Sequence, residues 1–203
     1  MTNLIHILID PQTLIETLGV IGVIAIVFLE TGAFFGFFFP GDSLLFTAGY
    51  LASQGFISLP LLLIGAFVAA VIGDNVGYAF GKRIGKSLFN REDSLIFNKK
   101  HVVRAQLFYE KYGKKTIIMA RFIPVVRTFA PIVAGIGNMN YRTFLYFNAL
   151  GGFLWTWAML WLGFGFGSLI PNPDRYVIPA IIIIILISAA PAVKEILMRK
   201  KGD

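Results

Sequence analysis

The sequence contains no cysteine, and no lysine or arginine precedes Lys82. Without cysteine, the chain can form neither disulfide bonds nor thiolate metal sites. Charged residues are also scarce, at 14% of the chain, whereas hydrophobic residues make up 57%. Soluble domains average about 25% charged and about 45–50% apolar residues. The composition therefore argues against an ordinary soluble domain and predicts an integral membrane protein. The first ten residues lack a basic region, so we expect no cleaved signal peptide.

Basic residues are confined to the second part of the chain, mainly in the clusters at 82–115 and 194–201. The first 81 residues carry only acids, which are Asp10, Glu16, Glu30, Asp42 and Asp74. Because the basic clusters border apolar segments, the positive-inside rule assigns both to the cytoplasmic side. We expect these clusters to contact anionic membrane lipids and not nucleic acid.

The apolar segments of the chain are 18–39, 43–52, 59–81, 116–138, 143–170 and 177–193. A chain that leaves the cytoplasm and returns crosses the membrane an even number of times, yet three segments separate the basic clusters. Segment 116–138 is interrupted by Arg121, Arg127, Pro124 and Pro131. Charges and prolines are costly in a simple span, so we expect a re-entrant hairpin that breaks at Pro124–Pro131.

A second broken segment is expected over residues 18–52, where Pro40 and Gly41 interrupt the apolar run. Segment 59–81 ends at the cytoplasmic Lys82, so the first hairpin enters from outside and opposes the second. Opposed broken helices are typical of transporters with inverted repeats. The predicted fold is a single all-α polytopic membrane domain over residues 1–203. It contains two opposed re-entrant helical hairpins in an inverted-repeat arrangement (18–52 and 116–138), about three transmembrane helices (59–81, 143–170 and 177–193), an interfacial helix (1–17), a cytoplasmic amphipathic region (82–115) and a basic cytoplasmic tail (194–203).

The charged residues within these segments predict a functional site. Buried carboxylates either bind a cation or take up a proton, whereas arginine stays charged. Static salt bridges would satisfy both groups, but buried ion pairs stabilise poorly and ionisable groups inside membranes are functional by default. Arginine also matches phosphate or carboxylate groups bidentately. We therefore expect Arg121 and Arg127 to bind an anion, with Glu30 and Asp42 as proton-carrying counter-charges.

Other residues carry weaker signals. Asp74 and Asn148 are possible members of the same site, although Asp74 could equally belong to a packing surface and Asn148 could cap a helix. Glycines recur every fourth residue from Gly73 to Gly85, which predicts a helix face that another helix approaches closely. The side chains expected to contact lipid or the interface are Trp155, Trp157, Trp161 and Tyr176.

The sequence offers no enzyme chemistry at membrane depth. The only histidines, His6 and His101, lie outside the apolar segments, so neither paired histidines nor a histidine base is available there. The scattered carboxylates lack metal-ligand spacing. We expect no enzyme activity, no cofactor and no metal site.

Three motifs in this order resemble the DedA family of bacterial membrane proteins, whose superfamily is named for SNARE-associated or VTT domains. The first is Glu30 followed by Phe39-Pro40-Gly41-Asp42, and the second is Gly73-Asp74 with Gly77-Tyr78 and Gly81. The third comprises Arg121, Phe122, Pro124, Arg127, Pro131, Ala134, Gly135, Met139, Phe144, Asn148, Gly151 or Gly152, and Trp155.

This resemblance implies two opposed re-entrant hairpins and lipid transport across the bacterial inner membrane. It further implies a phosphate-bearing lipid substrate such as undecaprenyl phosphate, coupling to the proton-motive force, and roles for Glu30, Asp42, Arg121 and Arg127. A nonspecific phospholipid scramblase and a proton-driven carrier of small ions or osmolytes are alternatives. An oligomer is compatible with the sequence.

Overall fold

The computed structural model describes residues 11–32, 41–89, 113, 115–170, 176 and 179–184. These residues form helices joined by short turns, and no strand occurs among them, which confirms the all-α class. The helices are α1 (Pro11–Gly32), α2 (Gly41–Ser53), α3 (Leu59–Phe89), α4 (Thr116–Ala120), α5 (Pro124–Ile136) and α6 (Tyr141–Leu169). Residues 176 and 179–184 are also helical.

The first hairpin region begins with α1, which is kinked at Gly19. Gly19 has a φ of 61°, in the left-handed region that glycine adopts at little cost. The kink lies at the expected boundary between segments 1–17 and 18–52. Later in the predicted segment 18–52, helix α2 begins at Gly41. Residues 1–10 and 33–40, which include Pro40, lie outside the described residues.

The second hairpin region is broken where the sequence predicts, but by one proline instead of two. Helix α4 ends at Ala120, and α5 begins at Pro124. Pro131 lies inside α5, so the expectation that it helps to break the helix is wrong. A proline at the first helical position loses no intrahelical bond, and the residue before it avoids the helical conformation. An internal proline removes a single bond, which a helix packed on its neighbours can absorb.

The two long helices have the length and composition of membrane spans. Leu59–Ile84 within α3 comprises 26 residues and Tyr141–Leu169 comprises 29, whereas about 20 suffice to cross the hydrocarbon core. Helix α3 exposes a continuous apolar stripe, formed by Leu61, Ile64, Val68, Ile72, Val76 and Phe80. Such a face is too large for a typical soluble monomer and suits contact with lipid.

The predicted boundaries of these spans need one correction. Helix α6 agrees with the predicted segment 143–170, but α3 continues eight residues beyond Gly81 to Phe89. The start of the predicted cytoplasmic region is therefore a continuation of α3. Residues 90–112, most of segment 177–193 and the tail lie outside the described part of the chain.

The chain forms two compact units. Unit 1 contains Met1–Val27, Phe38–Ala69 and Trp155–Asp203, and unit 2 contains Phe28–Phe37 and Ala70–Leu154. Helices α1, α3 and α6 each contribute residues to both units.

In unit 1, the 13-residue helix α2 packs against α6 through glycines. A Cβ atom added to Gly49 would overlap the carbonyl oxygen of Leu160, and one added to Gly163 would overlap that of Phe46. The missing side chains thus allow backbone to touch backbone, as small residues do at membrane helix interfaces.

In unit 2, the 13-residue helix α5 packs against α3 in the same manner. A Cβ atom at Gly135 would overlap the carbonyl oxygen of Tyr78, and one at Gly81 would overlap that of Ile132. The glycine face predicted on α3 is therefore a packing surface.

The register of these contacts is the same in both units. Gly81 follows Leu59, the first residue of α3, by 22 residues, and Gly163 follows Tyr141, the first residue of α6, by 22 residues. In each short helix, the contacting carbonyl precedes the glycine by three residues, in Phe46–Gly49 and in Ile132–Gly135. The two units therefore share one packing motif, although their sequences show little similarity.

Candidate functional site

The break between α4 and α5 places two arginines on either side of an extended residue. The amide of Arg121 donates to Ile118 O at 3.2 Å, which closes the last turn of α4. Ile123 then adopts an extended conformation before Pro124. The amide of Arg127 donates to Ile123 O at 2.8 Å and starts the hydrogen bonding of α5. Both arginine side chains are buried, with exposures of 1% and 2%.

Arg121 contacts α3 and α6. Its Nη2 donates to the carboxylate of Asp74 and to the side-chain oxygen of Asn148, and also to Ala70 O at 3.3 Å. The amide nitrogen of Asn148 donates to Val71 O at 3.1 Å, which fixes the orientation of that side chain. The residues predicted as possible members of the site, Asp74 and Asn148, are thus both bonded to Arg121.

Arg127 pairs with Glu30 near the end of α1. Its Nη2 donates to Glu30 Oε1, and the side chains of both residues are only 2% exposed. Close contact between α1 and α3 holds this acid near Asp74. A Cβ atom added to Gly32 would lie 3.0 Å from Gly73 Cα, so the two backbones touch beside both carboxylates.

Glycines of α6 make room for the Arg121 side chain. A Cβ atom at Gly151 would lie 3.1 Å from Arg121 Cδ, and one at Gly152 would lie 3.5 Å from its guanidinium carbon. Larger residues at either position would crowd the guanidinium. The glycines that the sequence shows near Asn148 therefore form one wall of the site.

The cluster brings together two permanent cations and two acids, so it is neutral when both acids are ionised. Arg121 nevertheless keeps hydrogen-bonding capacity. Its Nε and Nη1 are buried, as is Asp74 Oδ1, and none of these atoms has a hydrogen-bond partner among the described residues. A buried polar group left unsatisfied costs about 1–3 kcal/mol. Acceptor oxygens would satisfy the two Arg121 donors, whereas Asp74 Oδ1 requires a donor.

Asp42 lies in unit 1, at the start of α2. The indole nitrogen of Trp155 donates to Asp42 Oδ1 at 2.8 Å. Trp155 is 2% exposed, so the expectation that it contacts lipid is wrong. Its polar N–H explains the burial, since a buried tryptophan commonly pairs that group with an acceptor.

The sequence thus correctly brings Glu30 to an arginine, but the acid that pairs with Arg121 is Asp74 and not Asp42. Trp155 is the contact that the sequence missed. The sequence signal that could have indicated this contact is the position of Trp155 at the end of the third motif, after the two arginines.

Comparison with known proteins agrees with this architecture. The family model of the VTT domain matches residues 39–165. Protein DedA of Escherichia coli K12 is 41% identical over 205 residues, covering 98% of this chain and 93% of that protein. An uncharacterized membrane protein of Mycobacterium leprae is 39% identical over 184 residues, covering 91% and 82%. The inner membrane protein YqjA of E. coli is 33% identical over 143 residues, covering 70% and 65%.

No solved structure matches this chain. The match to the VTT domain nevertheless contains Asp42, Asp74, both arginines and Asn148. Identity to DedA extends over nearly the whole chain, and the relatives from M. leprae and YqjA are membrane proteins. The chain therefore belongs to the DedA family of VTT-domain membrane proteins.

Proposed function

We propose that this protein is a proton-coupled flippase of the bacterial inner membrane, and that it moves undecaprenyl phosphate between the leaflets for envelope synthesis. The observation that carries the proposal is the pair of buried arginines, each bonded to a carboxylate, at a helix break in a membrane protein. A transporter requires binding groups that release their ligand, and it needs no catalytic nucleophile. We accordingly propose transport and not enzymatic turnover.

The phosphate of the lipid is proposed to bind Arg121 and Arg127. Arg121 lies at the end of α4 and Arg127 in the first turns of α5, near amides that lack intrahelical partners. The partial positive charge at a helix start adds to that of the guanidinium groups. The buried Nε and Nη1 of Arg121 supply donors that the described residues do not use.

Proton coupling follows from the charge balance of the cluster. A phosphate that binds the arginines competes with Glu30 and Asp74, and each acid that it displaces loses an ion-pair partner. Each displaced carboxylate is stabilised by taking up a proton, because an unpaired buried charge is costly. Release of phosphate lets the carboxylates lose those protons and pair again. Asp42, bonded to Trp155 in unit 1, is proposed as a further proton carrier.

The proposed topology has two re-entrant hairpins that enter from opposite sides. Helices α2 and α5 each comprise 13 residues, or roughly 20 Å, which is shorter than the roughly 30 Å hydrocarbon core. Their shared packing motif supports an internal repeat. The basic clusters at 82–115 and 194–201 are proposed to be cytoplasmic.

Reconstitution in liposomes tests the function. Labelled undecaprenyl phosphate and labelled phosphatidylcholine are followed between leaflets, with and without a proton gradient. We expect faster exchange of the phosphate lipid, and dependence of that exchange on the gradient. Equal movement of both lipids without regard to the gradient would support a nonspecific scramblase instead. Gradient-driven uptake of small ions or osmolytes without lipid exchange would support the third candidate.

The variant Arg127→Lys tests phosphate recognition directly, since lysine keeps the charge but lacks the planar donors. We expect a large loss of exchange at subsaturating lipid. Arg142→Lys is the matched control, because Arg142 is an exposed arginine of the same unit. Full activity in Arg127→Lys would mean that phosphate recognition lies elsewhere.

A further inference from the structure

Unit 2 carries a groove of about 600 Å³ on the outer face of α3, away from the paired charges. Its lining includes Ile72, Val76, Tyr78, Lys82, Arg83 and Tyr141. The groove is apolar at one end and basic at the other. Ile72 and Val76 are each about half exposed, and they belong to the lipid-facing stripe of α3.

The basic end of the groove lies where the apolar part of α3 ends. Lys82 is half-buried and Arg83 is exposed, in the last turns of the apolar span Leu59–Ile84. The amino group of Lys82 lies 5.8 Å from the centre of the Tyr78 ring, close enough for a cation–π contact. The ring of Tyr141 lies 5.7 Å from that of Tyr78 and adds an interfacial aromatic group.

The dimensions of the groove match one leaflet of a bilayer. Arg83 lies eleven positions after Ile72, so the helix rises by roughly 16 Å between them. Half of the hydrocarbon core measures roughly 15 Å. An acyl chain lying on Ile72 and Val76 would therefore place its headgroup beside Lys82 and Arg83.

We propose that this groove is a binding site for an anionic phospholipid of the leaflet that faces the basic clusters. Lys82 and Arg83 bind the phosphate of the headgroup, Tyr141 flanks it, and one acyl chain lies along Ile72 and Val76. Charge complementarity selects the occupant, because a zwitterionic lipid gains less from two cations at the interface. The site does not depend on transport by the arginine cluster.

Native mass spectrometry of the full chain in detergent tests the site. Affinity for the first bound lipid is measured with phosphatidylglycerol and with phosphatidylcholine. We expect phosphatidylglycerol to bind more tightly, and Lys82→Gln to weaken it about fivefold, with a similar further loss in Lys82→Gln/Arg83→Gln. Lys115→Gln removes an exposed charge of the same unit that does not line the groove, and it should leave the affinity unchanged.

A second pair of variants tests the apolar end. Val76→Trp fills the groove, whereas Val68→Trp adds the same side chain two turns earlier on the same exposed stripe. We expect Val76→Trp alone to reduce the affinity for phosphatidylglycerol. Equal affinities for both lipids, equal losses in Lys82→Gln and Lys115→Gln, or equal effects of the two tryptophans would overturn the proposal. If the unmodified protein shows no flippase activity but prefers phosphatidylglycerol as expected, only the proposed function of the arginine cluster is refuted.

Discussion

The Arg127–Glu30 pair offers a direct test of whether the cluster stabilises the protein or serves transport. Both side chains are 2% exposed, so neither charge is stabilised by bulk water. Removing one partner of a buried pair costs about 3–5 kcal/mol, because an uncompensated charge remains. Replacing both partners by neutral groups is often close to neutral. The relevant variants are Arg127→Met, Glu30→Gln and their combination.

The two single variants should differ in severity. In Arg127→Met, the carboxyl group of Glu30 can respond to the loss of the cation by taking up a proton. In Glu30→Gln, the guanidinium of Arg127 cannot lose its charge. We therefore expect Glu30→Gln to be the more destabilised of the two. The double variant should recover most of the loss, because neither charge then remains without its partner.

Thermal unfolding in detergent, at one fixed heating rate, measures these differences. A loss of about 3–5 kcal/mol in a chain of this size corresponds to a fall of about 6–20 °C in the midpoint. The fixed rate matters because membrane proteins commonly unfold irreversibly. Flippase activity of the double variant then separates the two roles. If the double variant recovers both stability and transport, the pair is a structural salt bridge, and our reasoning on phosphate binding fails.

Three further predictions use matched controls. Gly163→Ala should lower the free energy of unfolding by about 1–3 kcal/mol, measured as a lower unfolding midpoint, because its methyl group meets the Phe46 backbone. Gly165→Ala faces open space and should be neutral or stabilising. Trp155→Phe removes the donor to Asp42 and should lower the free energy of unfolding by about 1.5–3 kcal/mol in the same assay. Trp161→Phe, at a half-exposed position, should cost little, and equal shifts in the two variants would argue against the hydrogen bond. Asn148→Asp adds a negative charge beside Arg121 and should weaken binding of the phosphate lipid in the liposome assay. Asn140→Asp, at an exposed helix cap, should not weaken it. Unchanged affinity in Asn148→Asp would place the phosphate away from Arg121.

The helix break illustrates what could be predicted from sequence. Pro124 follows an extended residue and starts α5, as the local rules for proline require. Pro131 is subject to the same local preferences but lies inside the helix, where its cost is offset by packing. A Cβ atom at Gly77 would lie 3.4 Å from the Pro131 side chain, so α3 packs directly against this proline. Tertiary packing of that kind is invisible in a local pattern.

Which acid pairs with which arginine could not be predicted from the sequence, for a different reason. The apolar context of Glu30, Asp42 and Asp74 identified all three as candidates, but the partner of each depends on which helices touch. The contact between Gly32 and Gly73 brings α1 and α3 together and so selects Glu30 and Asp74 for unit 2. Local sequence patterns predict the glycine face of α3 but do not show which helix it contacts.

The shared packing motif explains how one scaffold supports different chemistry in each unit. Counting back seven residues from each contacting glycine gives Asp42 on α2 and Thr156 on α6 in unit 1, but Thr128 on α5 and Asp74 on α3 in unit 2. Each unit thus has one carboxylate and one threonine at these positions, with the two exchanged between the short and the long helix. Among the residues that the structure describes, arginine occurs in unit 2 and not in unit 1, and Arg121 and Arg127 lie beside the break before α5. Since the backbone contacts are the same in both units, the proposed anion site rests on the arginines and not on the fold. The carboxylate of unit 1 is bonded to Trp155 instead.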